Sequence, residues 1–398
     1  MPDKKKILVA SLQSLNAHSG AGMARIGYHL SLELHKRDLL KYFIVSSKGK
    51  FTTTFPSHPV SFFSRYYLFV LNKLNKLIHF KNYKFRFIQE LLFDWFLSLR
   101  IDNSISTIVS TNAYLYRTNK KAKKKGIQVY FIPANPEDNF IYNLVKEEQK
   151  KLNLSFTDAY TYKKRLEYYN KSLKYVDKII ATFPSTYEQY SKSGTQDKLI
   201  NIPGHLKSDF KPAKPLVKLN TDTYNVAYLA YSVLLKGLQY LMEAWKEIIQ
   251  KGGTENMHLY IGGDIDSSID EYIKTTFSNL KNVHYSGHIS NVPEFLKDKD
   301  LFVVPSLIDG GPVTALEAAH YGIPVIITRN CGAREFFENG SGWVIPIQDA
   351  ESIKGNILWA YRHREEARQM GIDAKQKLDN YKATFITDIA DMLQNATA

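Results

Sequence analysis

"SLIDGGPVTALEAAHYGIPVI", residues 306–326, is the stretch that decides the fold. Asp309 follows an apolar run, Gly310, Gly311 and Pro312 form a corner, and a helix opens at about Val313 with a second acid, Glu317, on it. Backbone N–H groups at a helix start lack intrahelical partners and carry partial positive charge. The two glycines let a ligand approach that backbone closely, which suits a phosphate or a polyol. Two carboxylates beside an anion site suit hydroxyl recognition, because a carboxylate takes paired hydrogen bonds from vicinal diols. From the turn alone, an N-capped helix with an incidental glutamate explains the same residues equally well.

Outward from this turn, short β-rich runs alternate with helical patterns along the whole chain, which argues for parallel sheets flanked by helices. "KILVASL", "YFIVS", "STIVS", "QVYFIP" and "KIIATF" read as strands of a first half. "NIPGHLKSDFKPAKPLVKLNTD" (residues 201–222) reads as a hinge, and the alternation then restarts with "NVAYLAY", "HLYIGG", "VHYSG", "LFVVPS", "PVIIT" and "GWVIP". Two helical stretches, residues 349–378 and about 382–395, close the chain. The pattern predicts two Rossmann-like α/β domains facing across a cleft, with ligands outside the carboxyl ends of the strands. The expected domains are residues 1–212 and 213–378, with a C-terminal helix (379–398) crossing back to the first.

The 398 residues are 44% apolar and 23% charged, ordinary values for a soluble globular protein. Cys331 is the single cysteine, so no intrachain disulfide forms and a reducing compartment fits. No signal-peptide pattern opens "MPDKKKILVASLQS", and no apolar run is long enough to span a bilayer, so the expected location is cytoplasmic. Charge is uneven. Residues 1–212 carry 35 Lys and Arg against 16 Asp and Glu, whereas the remainder carries 18 against 23. The first half is built to meet anions.

The segment "SLIDGGPVTALEAAHYGIPVIITRNCGAREFFENGSGWVIP" resembles the donor-binding segment of retaining glycosyltransferases of family four (glycosyl transferases group 1), which have the GT-B fold. The matching positions are Asp309, Glu317, Ala318, Gly322–Val325, Glu335 and Gly342–Val344. The resemblance extends back through "LFVVPS", "VHYSGHIS" and "HLYIGGD" to "YLAYSVLLKGLQYLMEAW", and to "SLNAHSGAGMARIGYHLSLEL" near the start. It implies that Glu317 holds the nucleotide ribose and Asp309 the donor sugar. It also implies that the N–H groups at Gly310, Gly311, Pro312 and Val313 face the sugar and diphosphate, proline contributing only its place in the corner. Lys236, opening a helix, would neutralise the diphosphate, Gly20 and Gly22 would approach it from the first domain, and His288 and Ile289 would meet the nucleobase. Asp309 and Lys236 are the candidate catalytic pair. Asp309 is one methylene shorter than the family's usual glutamate, and Tyr231 stands where an arginine is usual, with Arg334 a candidate to compensate. Asn135 is a substitute for a histidine often found in the first domain.

The resemblance implies a retaining transferase that moves a sugar from a nucleotide-diphosphate sugar to a glycan or lipid-linked glycan acceptor, without cofactor or metal, in polysaccharide synthesis. An inverting transferase or nucleotide-sugar epimerase on the same fold is the first alternative, with Asp138 or Glu137 as general base. A nucleic-acid-binding protein is the second, against which the diol-binding acids and the absence of any nucleic-acid module motif both count. Asp264 and Asp266 have the spacing of a manganese site but read better as a helix N-cap. "KKAKKKG" (120–126) reads as a solvated helix end, Cys331 as a packing residue, and His18 as either turn packing or substrate contact. Finally, residues 61–100 hold seven bases, two acids and many aromatics, and part of this stretch reads as plain core of the first domain. Lys73, Lys76, Lys81, Lys84 and Arg86 beside Phe80, Tyr83, Phe85 and Phe87 suit an anionic membrane surface.

Overall fold

The structure, a computed structural model, describes residues 6–15, 22–49, 51–206, 222–252 and 254–397. Two compact units emerge, Met1–Leu206 with Ala383–Ala398, and Lys207–Lys382. The first holds strands β1 (Lys6–Ser11), β2 (Leu40–Val45), β3 (Ser57–Pro59), β4 (Ile105–Ser110), β5 (Gln128–Phe131), β6 (Lys178–Ala181) and β7 (Leu199–Asn201). Its helices are α1 (Met23–Lys36), α2 (Ser64–Ile78), α3 (Asn82–Leu99), α4 (Tyr116–Lys124), α5 (Asp138–Lys151), α6 (Lys163–Leu173) and α7 (Pro184–Tyr190). The second unit holds β8 (Tyr224–Leu229), β9 (Met257–Gly262), β10 (Val283–Gly287), β11 (Leu301–Val304), β12 (Val325–Thr328) and β13 (Trp343–Ile345). Around them lie α8 (Leu238–Lys251), α9 (Ser267–Thr276), α10 (Val292–Leu296), α11 (Val313–His320), α12 (Ala350–Arg362) and α13 (Arg364–Asn380). The last helix, α14 (Phe385–Thr397), belongs to the first unit.

Both sheets are parallel, in the orders β3-β2-β1-β4-β5-β6-β7 and β10-β9-β8-β11-β12-β13. Each order reverses beside its first strand, so the switch points lie between β1 and β4 and between β8 and β11, where such sheets bind ligands. The strands read as unbroken apolar runs because both faces are covered. Ile7, Val9, Phe43 and Val45 meet α1 on one side, while Leu8, Ala10 and Ile44 meet Phe93 and Leu97 of α3 on the other. Phe385, Ile389 and Leu393 of α14 complete the α1 side, and each fully buried side chain of this size contributes about 1.5–3 kcal/mol. Arg37, just past the end of α1, reaches Asp391 of α14 at 2.5 Å.

Three expectations change here. Strands β3 and β7 were not visible in the sequence, being three-residue edge strands without room for an alternating pattern. The stretch 349–378 is two helices, broken at His363, whose backbone (φ −120°, ψ 58°) leaves the helical region. The aromatics of α3 are also less available than the sequence suggested. Phe87 is buried, Tyr83 packs on Tyr162, and Arg86 reaches Glu90 at 3.3 Å. Among the described residues, no helix is long and apolar enough to cross a membrane.

Candidate functional site

At the switch point of the second unit, two loops leave neighbouring strands and are locked together. The loop after β8 ends in a 3-10 turn, Leu234–Lys236, followed by Gly237 with φ +71°. Lys236 thus precedes helix α8 instead of opening it, because Gly237 takes a left-handed conformation. A Cβ on Gly237 would lie 1.9 Å from the Pro305 carbonyl oxygen in the loop after β11, so only glycine lets the two segments meet. The Leu307 N–H donates to the Leu235 carbonyl at 2.8 Å across this contact.

Asp309 is held from its other side. Its N–H donates to the Asn330 carbonyl at 3.3 Å, its carbonyl accepts from the Gly332 N–H at 2.8 Å, and Asn330 Nδ2 donates to the Leu307 carbonyl at 3.0 Å. Cys331 in this clamp is fully buried, and burial pushes its thiol up to about 12, so it packs and does not react. The outcome is that Lys236 Nζ lies 2.5 Å from Asp309 Oδ2, with both side chains partly open to solvent.

Gly310 and Gly311 carry the chain from Asp309 to α11, and neither needs positive φ. Pro312 holds the N-cap position and no side chain caps the helix, so the first N–H groups of α11 are left to solvent or a ligand. Val313 is exposed at this end. Glu317 follows one turn on, half-buried, its carboxylate without a hydrogen-bond or ion-pair partner among the described residues. Burial pushes its carboxyl up to about 7. His288 and Ile289 follow Gly287 at the same carboxyl edge of the sheet. His288 is exposed, while Ile289 packs on the core near Gly262.

Lys236, Asp309 and an uncapped helix start therefore meet at one switch point, with Glu317 one turn along that helix. The cation and N–H groups suit a diphosphate, and the carboxylates suit sugar or ribose hydroxyls. The sequence brought these residues together but did not reveal the ion pair between Lys236 and Asp309, which depends on the Gly237–Pro305 contact across distant positions.

The departures acquire a local meaning. The Tyr231 hydroxyl donates to Asp266 Oδ2 at 2.5 Å, and Asp266 Oδ1 accepts from the Ser268 N–H at the start of α9. Asp266 is thus an N-cap, and Tyr231 belongs to that arrangement. Arg334 donates to the Arg329 carbonyl at 2.6 Å and lies 3.6 Å from Glu338. In the first unit, Gly22 precedes α1 with φ +51° and open space around its α-carbon, whereas Gly20 and His18 lie outside the described residues. Glu137 caps α5 by accepting from the Phe140 N–H at 3.1 Å. Asp138 accepts from the Tyr114 hydroxyl and lies 3.8 Å from Arg165, itself paired with buried Glu90 at 2.8 Å.

Residues 211–377 match the family of glycosyl transferases group 1. The chain is 26% identical over 166 residues to the capsular polysaccharide biosynthesis glycosyltransferase CapM of Staphylococcus aureus, covering 41% of this chain and 43% of that protein. It is 34% identical over 120 residues to a UDP-Gal:alpha-D-GlcNAc-diphosphoundecaprenol alpha-1,3-galactosyltransferase of Escherichia coli, covering 29% and 30% respectively. The chain thus spans less than half the length of both relatives. Among solved structures, Anabaena HepE in complex with UDP-glucose aligns over 98% of this chain and 99% of its own, with a TM-score of 0.63 at 13% identity. Residues 211–377 are therefore similar to the glycosyl transferases group 1 family, and the chain has an α/β architecture of the GT-B kind.

Proposed function

We propose that the protein is a retaining glycosyltransferase that moves a sugar from a nucleotide-diphosphate sugar to a glycan acceptor in polysaccharide or lipid-linked glycan synthesis. The observation that carries this is the meeting of Lys236 and Asp309 at the uncapped start of α11, with Glu317 one turn on. In this reading Glu317 takes the ribose hydroxyls and Asp309 the hydroxyls of the donor sugar. Lys236 leaves its contact with Asp309 to share the charge of the diphosphate, which the α11 N–H groups also meet. His288 and Ile289 border the nucleobase.

The chemistry is then positioning and charge stabilisation. An acceptor hydroxyl oxygen bonds to the anomeric carbon as the bond to the diphosphate oxygen breaks. The hydroxyl proton passes to the departing phosphate, and attack from the same face keeps the anomeric configuration. No protein base is needed. The engagement of Glu137 as a helix cap, and of Asp138 with Tyr114 and Arg165, supports this over direct displacement with either as base. No metal enters the scheme, and the role of Asp266 as a cap of α9 agrees with that.

The acceptor half is proposed to work at an anionic membrane surface, through α2 more than α3. Tyr66, Phe69, Lys73 and Leu77 recur at helical spacing on α2, Phe62 lies just before it, and Phe62 and Leu77 are 88% and 77% exposed. Lys73 Nζ sits 4.8 Å from the centre of the Phe69 ring, and Lys76, Lys81 and Lys84 are exposed nearby. Apolar side chains can enter the headgroup layer while each lysine contributes about 1 kcal/mol against anionic lipid. Mass spectrometry of products from a panel of nucleotide sugars and lipid-linked acceptors tests the transfer itself. Loss of every donor–acceptor combination would remove the proposal.

A further inference from the structure

Helix α2 has a second face. With the exits of β1 and β2 and with α3 it walls an open cavity of about 500 Å³ in the first unit, within the range of small-ligand sites and with Phe69 of the outer stripe in its lining. Its floor is a cluster of serine hydroxyls. Ser47 Oγ donates to Ser14 Oγ at 2.6 Å, Ser46 Oγ lies 3.5 Å from Ser14 Oγ, and the Ser46 hydroxyl donates to the Leu12 carbonyl. The two strand exits are joined beneath it, the Leu15 N–H donating to the Ser47 carbonyl at 3.0 Å and the Gly49 N–H to the Leu15 carbonyl at 2.7 Å. The floor is therefore fixed before any ligand arrives.

The walls are unfinished. The side-chain amides of Gln13 and Asn72, both exposed, and of half-buried Gln89 line the cavity and make no hydrogen bond among the described residues. Tyr67 stacks on Phe96 with ring centres 5.0 Å apart and planes at 15°, and its hydroxyl also has no partner there. Burial pushes the Tyr67 phenol up to about 12, so it stays a neutral donor. No charged side chain lines the cavity among the described residues. A phosphate or carboxylate would find no cation there among the described residues, and an amine no carboxylate. Sugar hydroxyls are donor and acceptor at once, which matches amides and hydroxyls, and an aromatic ring offers an apolar face to a pyranose.

We infer that this cavity holds an uncharged saccharide, the acceptor end of the transfer reaction, on residues Gln13, Ser14, Ser47, Tyr67, Asn72 and Gln89. The inference rests on the proposed glycosyltransferase function. One hydroxyl of the bound saccharide forms the new bond to the donor's anomeric carbon as the diphosphate leaves, and its proton departs with the diphosphate. Phe69 lines this cavity and also belongs to the stripe proposed to meet lipid, so a single helix links the saccharide site to the membrane surface.

The test uses the full chain and saturation-transfer NMR titrations with methyl glycosides of glucose, galactose and N-acetylglucosamine. Methyl glucuronide and glucose 1-phosphate serve as charged counterparts. At least one neutral glycoside should bind at least tenfold more tightly than either charged probe. Asn72→Leu and Gln89→Leu should each weaken it at least tenfold, while calorimetry shows nucleoside diphosphate binding unchanged, which also certifies folding. Equal or tighter binding of the charged probes, wild-type behaviour of both variants, or no binding of any neutral glycoside overturns the inference. Absence of nucleoside diphosphate binding by the wild type, with the saccharide results as expected, would instead overturn the glycosyltransferase reading and leave the saccharide site standing.

Discussion

Glu317 offers a prediction in which function and stability move in opposite directions. Its carboxyl is pushed from 4.5 to about 7 by burial, with no cation beside it. At about 1.4 kcal/mol per tenfold change in proton affinity, ionising it in place costs about 3 kcal/mol. The half-buried position leaves one side open to water, which reduces this to about 2 kcal/mol. Because the folded-state value is raised, the group's contribution to stability is fully present below pH 4.5 and is lost as pH rises through 7. Glu317→Gln should therefore match the wild type near pH 4.5 and exceed it by about 2 kcal/mol above pH 7. Donor binding should go the other way. Hydrogen bonds to a charged group are worth about 1.5–3 kcal/mol, so Glu317→Ala should weaken donor binding roughly ten- to hundredfold. Wild-type affinity should fall about tenfold from pH 8 to pH 6 as Glu317 takes up a proton, and Glu317→Ala should lose that dependence. Calorimetry with an intact nucleotide sugar, whose diphosphate does not titrate in this range, measures affinity, and thermal melting measures stability. Unchanged affinity in a normally melting Glu317→Ala would refute the assignment.

Gly237→Ala should destabilise the second unit by more than about 2 kcal/mol, because the new Cβ meets the Pro305 carbonyl at a backbone angle alanine disfavours; a melting curve like the wild type would contradict this. Proton NMR of the product linkage should show the donor's anomeric configuration, and EDTA should leave the rate unchanged. Activity abolished by EDTA and restored by manganese would return Asp264 and Asp266 to a metal role. In liposome flotation, the protein should rise with vesicles containing phosphatidylglycerol and less with phosphatidylcholine alone, and high salt should weaken the effect. Protein that stays at the bottom with anionic vesicles at low salt would remove the membrane role of α2.

The second unit was legible in the sequence because its site is local. Asp309, the glycine corner and Glu317 lie within nine residues, on a strand exit and the helix that follows, and the strands around them are long apolar runs. Lys236 lies 73 positions away, so its contact with Asp309 depends on the β8–β11 neighbourhood and on the close approach of Gly237 to Pro305. The first unit was legible only as a pattern. The cavity beside α2 draws Gln13, Ser47, Asn72 and Gln89 from four separate elements or loops, and uncharged polar residues carry no spacing signal. The basic aromatic stretch was visible, but its division was not. Phe87 and Tyr83 turn inward onto Tyr162, while Phe62 before α2 and Tyr66 and Phe69 on it stay exposed.

The central claim is that the β8–β11 switch point binds the donor nucleotide. Hydrogen–deuterium exchange with and without saturating nucleoside diphosphate tests it most directly. Donor binding at this switch point should slow exchange in residues 231–237, 288–289 and 310–317, and Lys236→Ala should lose that protection. Binding demonstrated by calorimetry, with protection confined to the first unit or absent from residues 310–317, would contradict it.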